Sequence, residues 1–143
     1  MKKIIWLVIS LFIITGCGNS ELNEFDIKKA QIAVEETLKN MTDIDEDTLK
    51  NVYNLDFNFI KEYVMKENEN GELYAIIYAS DKTIVKKEMD SYFLKLRDFS
   101  VAYSPERVEL LDNHLEKEIG DYLIYIVAED NTKVYNDIIN TME

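Results

Sequence analysis

Phe59-Ile-Lys-Glu-Tyr-Val-Met-Lys-Glu-Asn-Glu-Asn-Gly-Glu-Leu-Tyr-Ala-Ile-Ile-Tyr-Ala79 holds two strands and the turn between them. The first arm, Phe59 to Lys66, runs into Glu-Asn-Gly, a turn signal, and the second, Leu73 to Ala79, follows directly. Leu-Tyr-Ala-Ile-Ile-Tyr-Ala is apolar on both of its faces, which predicts a central place in a sheet. A second hairpin, Leu115 to Ile119 and Tyr122 to Ala128, straddles Gly120-Asp121, and its second arm is again apolar on both sides.

Helical periodicity fills the chain around these hairpins. Ile27, Ala30, Val34, Leu38 and Met41 recur at spacings of three and four, so a first helix is expected from Glu24 to Met41. A shorter one is expected from Asp45 to Tyr53, with acidic residues in its first turn, where the helix dipole favours them. After the first hairpin, Ser80 or Asp81 caps a long helix. Val85, Met89, Tyr92, Phe93, Leu96, Phe99 and Tyr103 form its core-facing stripe over about five turns. That helix must stop by Ser104, because the residue before Pro105 is pushed out of the helical region. Pro105 then suits the start of a short helix, Glu106 to Asp112, capped by Ser104. Asn131 or Thr132 opens a last helix with Val134, Tyr135, Ile138, Ile139 and Met142 inward. The order α-α-β-β-α-α-β-β-α predicts an α+β fold: a mainly antiparallel four-stranded sheet with helices packed on one face.

The start of the chain carries an address. Lys2-Lys3 precedes an apolar run from Ile4 to Ile14, which ends in Thr15-Gly16-Cys17. A basic segment, a short apolar segment and small residues at the cut describe a secretory signal peptide. The run is too short for a membrane-spanning helix, which needs about 20 apolar residues. Ile14-Thr-Gly-Cys17 resembles a bacterial lipobox, which implies that the Cys17 thiol is acylated and that residues 1–16 are removed. Residues 17–23 then form the lipidated cysteine and a short tether, and residues 24–143 a single domain. Two acyl chains anchor a protein stably, at about 0.8 kcal/mol per buried methylene. The expected location is the outer face of the cell membrane.

Removing Lys2 and Lys3 leaves 14 basic against 28 acidic residues, a formal charge of −14, from −12 for the whole chain. A surface of that sign repels phosphate backbones and anionic headgroups. Nucleic acid is therefore excluded as a partner, and the membrane is met through the lipid alone. Cys17 is the only cysteine, so an intramolecular disulfide is impossible.

Several short segments resemble a family of domains of unknown function, DUF4358, found in lipoproteins of Gram-positive Firmicutes. Asn51-Val-Tyr-Asn-Leu-Asp56 is similar to its element ahead of the first strand, with Asn54 in place of a glycine. Glu72 to Ala79 resembles its central strand. The long helix with Arg97 runs into Tyr103-Ser-Pro105, and Ile119-Gly-Asp-Tyr122 resembles its second hairpin. The resemblance implies fold and location, and the family brings no activity with it.

Catalytic chemistry finds few residues. His114 is the only histidine, and a general base needs a nucleophile and an orienting partner within reach. No Gly-x-Ser-x-Gly motif is present. Zinc wants three or four ligands, and one histidine does not seed such a site. Asp43-Ile-Asp45-Glu-Asp47 begins like a calcium loop, but Thr48 stands where the turn needs glycine and Asn54 where the bidentate glutamate belongs. Acidity at a helix start accounts for the same residues. No metal or other cofactor is called for. Nine tyrosines remain. Tyr63, Tyr74, Tyr78, Tyr122 and Tyr125 lie on the strands, and any that reach an uncovered sheet face would make an aromatic binding surface. The functional expectation is a non-enzymatic interaction module at the membrane whose partner is an envelope protein or cell-wall component. The alternative is a small-ligand or cation sensor tied to a transporter or signalling receptor.

Overall fold

A computed structural model of the chain describes residues 25–142. In order they form α1 (Ile27–Thr37), β1 (Thr42–Asp43), α2 (Glu46–Asn51), a 3-10 turn (Phe57–Phe59), β2 (Ile60–Glu67) and β3 (Leu73–Ala79). Then come α3 (Lys82–Tyr103), α4 (Glu106–Asp112), β4 (Leu115–Ile119), β5 (Tyr122–Val127) and α5 (Asn131–Asn140). The five strands make one antiparallel sheet in the order β1-β2-β3-β5-β4. At its centre Ile76 of β3 faces Val64 of β2 on one side and Ile124 of β5 on the other.

The two hairpins owe their register to their turns. Gly71 has φ +81° and Gly120 φ +57°, a region where a side chain is strained. In the first turn the Asn68 side-chain oxygen accepts from the backbone N–H groups of Asn70 and Glu72. Arg107 then locks the turn to α4. Its Nε donates to the Gly71 carbonyl at 3.0 Å and its Nη2 to Glu67 Oε2 at 2.8 Å.

Helices cover both faces of the sheet. On one side Val85, Met89, Tyr92, Phe93 and Leu96 of α3, with Leu49 of α2 and Leu111 of α4, pack on Met65, Leu73, Ala75, Ile77, Leu123, Tyr125 and Val127. On the other, Ile27, Ala30, Val34 and Leu38 join Val134 and Ile138 of α5 over Val64, Tyr74, Ile76, Ile124 and Ile126. The molecule is a three-layer α/β/α sandwich. This corrects two expectations. The sheet has five strands where four were expected, and the helices lie on both faces where one was expected. The physical reason is that β3 and β5 carry apolar side chains on both sides, and each side needs its own cover. The additional strand, β1, is two exposed residues paired to Lys66 and Glu67 and has no hydrophobic pattern of its own.

Local differences have local causes. α1 ends at Thr37 and not at Met41, because Asn40 takes a left-handed φ of +57° and turns the chain into β1. Asp26, Asp45, Asp81 and Asp130 cap α1, α2, α3 and α5 through their carboxylates. Pro105 opens α4 without a side-chain cap, so Ser104 does not play the expected part. The stripe on α3 also departs from expectation. Phe99 is 60 % exposed and Tyr103 74 %, while Ser100 is buried and its Oγ donates to the Leu96 carbonyl at 2.8 Å. A helix of 22 residues is about 33 Å long at 1.5 Å per residue. The seven residues of β3 span only about 23 Å. The last turns of α3 therefore overhang the sheet, and their apolar side has no strand to pack on.

Candidate functional site

The five strand tyrosines do not share a face. Tyr63 and Tyr125 point to the α3 side, and Tyr74 and Tyr122 to the α1 side. Tyr74 is fully buried. Its hydroxyl donates at 2.9 Å to Glu35 Oε1, which also receives Gln31 Nε2 at 3.1 Å and Lys66 Nζ at 2.9 Å. Burial, and then the neighbouring Glu35 carboxylate, push the Tyr74 hydroxyl well above its ordinary pKa. Tyr125 lies under Phe93, its hydroxyl buried without a hydrogen-bond partner among the described residues, and burial again raises its pKa. Tyr63 is half-buried, edge-on to Phe57 at 5.1 Å, with its hydroxyl 3.4 Å from Glu46 Oε2. The sheet thus offers no uncovered aromatic face, because α1 and α5 occupy the one that the sequence left open.

Two of the tyrosines do meet at one end of the sheet. Tyr78 stacks on Tyr122 across the β3–β5 pair with centroids 4.9 Å apart, and Phe25 tilts against Tyr122 at 4.4 Å. These rings, with Ile27, Ile119 and Met142, border a groove of about 740 Å³ beside the start of α1. Lys61 Nζ sits 5.0 Å from the centre of the Tyr78 ring. Cys17 and the tether lie outside the described residues, and the chain enters the domain at this end.

The second surface was not legible as a site, since its residues read as core. Phe99 and Tyr103, one turn apart on α3, pair at 4.8 Å with their rings tilted by 36°. With Ala102, and with Val52 and Tyr53 from the end of α2, they line a groove of about 380 Å³. Val52 is itself exposed. Lys95 and Asp98 are its charged members, and Lys95 Nζ is already held by the Tyr53 carbonyl at 2.9 Å. No basic residue stands in the last turn of α3, where the carbonyl ends of the helix gather. The signal that could have revealed this surface is length: the apolar stripe of α3 outruns any strand in the sequence.

The remaining candidates have structural partners. His114 is half-buried, stacked on Phe93 at 4.5 Å, with Nδ1 2.7 Å from the Leu111 carbonyl oxygen. Asp45 is spent as a helix cap, accepting from the Thr48 N–H and hydroxyl. Arg97 Nε and Nη2 make a two-pronged pair with Asp112, joining α3 to α4. No helix among the described residues is long and apolar enough to cross a membrane.

Comparison with known proteins adds a family and no activity. No curated protein and no solved structure matches this chain. A family model, the domain of unknown function DUF4358, matches residues 34–128, from the middle of α1 to just past β5. The chain belongs to that family.

Proposed function

We propose that this chain is a non-enzymatic interaction module, held by a lipid on Cys17 at the outer face of a bacterial cell membrane, whose partner is a protein or another envelope component. The observation that carries this reading is the overhanging end of α3. There a stripe that packs the core for most of its length goes on to leave Phe99 and Tyr103 open to solvent beside Val52. Aromatic rings exposed in this way cost solubility and suit a contact surface. The groove also lies away from the tether. β3 ends and α3 begins at the Tyr78 end, whereas Arg107, just past α3, binds the opposite hairpin at Gly71. An anchored domain would hold the α3 groove outward from the bilayer.

The test is in-cell crosslinking from a photoreactive side chain at position 103, followed by mass spectrometry. A specific partner, crosslinked at the groove and lost on Phe99→Ala with Tyr103→Ala, is expected. Cys17→Ser should abolish lipid labelling and membrane retention. Crosslinks that persist unchanged in the double variant would refute the reading. The second reading, a small-ligand sensor, draws on the aromatic groove of Phe25, Tyr78 and Tyr122. It requires a rise in melting temperature with sugars, peptides or divalent cations, by mass action on the folded state.

A further inference from the structure

We infer that the segment received by the α2–α3 groove is a cationic amphipathic stretch of another protein, its apolar side chains on Phe99 and Tyr103 and its Lys or Arg residues at the end of α3. This rests on the interaction-module reading and adds the chemistry of the partner. Three features of the groove favour a cation. Asp98 lines it, and Lys95, the basic residue in the lining, has its ammonium committed to the Tyr53 carbonyl. The groove lies at the negative end of a 22-residue helix with no basic side chain in its last turn. The aromatic pair presents ring faces that attract ammonium and guanidinium groups.

Other occupants fit less well. A second copy would bring another chain of charge −12 against the first, and like charge opposes close approach. An anionic membrane is repelled in the same way and lies at the other end of the domain. Residues 17–24 reach at most about 28 Å, less than the length of α3 alone, and they start from the far end. A basic helix or strand from a neighbouring protein meets all of these constraints.

The test uses the mature lipoprotein in zwitterionic lipid discs and two probe peptides, each an amphipathic helix of about five turns. One is built of leucine and lysine, the other of leucine and glutamate, and binding is read as the increment over protein-free discs. The lysine peptide is expected to bind wild type and to bind Phe99→Ala/Tyr103→Ala at least about tenfold more weakly. It should also weaken with added salt and on Asp98→Asn. Both aromatic residues are exposed, so an unchanged melting temperature shows that the double variant is folded. Equal binding to the double variant would reduce the effect to general attraction by an acidic protein and overturn the inference. Equal binding of the glutamate peptide would remove the cation requirement, and dimerisation of wild type that the double variant lacks would assign the groove to a second copy. Failure of the peptides with retained crosslinking at position 103 would refute only the partner chemistry. Failure of both would refute the interaction module as well.

Discussion

Glu35 gathers three donors on one carboxylate oxygen: Lys66, Tyr74 and Gln31. Desolvation alone would raise its pKa, but the hydrogen bonds from Lys66, Tyr74 and Gln31 outweigh that and hold it below the ordinary value of 4.5. A lowered folded-state pKa gives stability that is present above 4.5 and lost as pH falls through the lowered value. Glu35→Gln is therefore expected to be less stable than wild type at neutral pH. The gap should narrow between about pH 5 and about pH 3, as read by urea unfolding across that range. A gap that does not change with pH would show that Glu35 acts only by packing. The two phenylalanines of α3 make a second contrast. Phe93 is buried between Tyr92, Tyr125 and His114, so Phe93→Ala should cost about 3–5 kcal/mol. Phe99→Ala should cost less than about 1 kcal/mol, as for an exposed site. Similar losses in the two variants would place Phe99 back in the core.

Elements differ in how openly the sequence declares them. β3, β4 and α4 have the limits that turn residues and alternation predict, because glycine, proline and carboxylate caps mark their ends locally. β1 was not legible, since two exposed residues carry no periodicity and exist as a strand only by pairing with β2. The second helical layer was written in the sequence as apolar residues on both sides of β3 and β5. Centrality in the sheet explains that pattern only if both faces are also covered. α3 shows the converse limit of periodicity. A stripe of spacing three and four marks a side of a helix, and whether that side is buried depends on how far the sheet extends beneath it. Phe99 and Tyr103 continue the pattern beyond the sheet, so the candidate interaction surface was read as core. The strand tyrosines failed as a common surface for a related reason: which face stays open is a property of the packed layers.

For the whole molecule, the sheet divides two separate cores. The family match, residues 34–128, contains nearly all of one and only part of the other, since most of α1 and all of α5 lie outside it. A fragment of residues 34–128 would leave Tyr74, Ile76, Ile124 and Ile126 facing water on an uncovered sheet. It is expected to lose the cooperative thermal transition of the full chain, followed by circular dichroism. A sharp transition in the fragment would show that the α3-side core suffices. The pairing of α1 with α5 also bears on the order in which the molecule can be completed. Thr37 donates to Asp137, a hundred positions later, and the ribosome releases the chain from its N-terminal end. The β2–β3 hairpin and α3 are close neighbours in sequence and can associate while synthesis is still under way. The first helix emerges before all of them, yet its mate is the last to appear. Ile27, Ala30, Val34 and Leu38 must therefore wait for the final dozen residues before their layer can close.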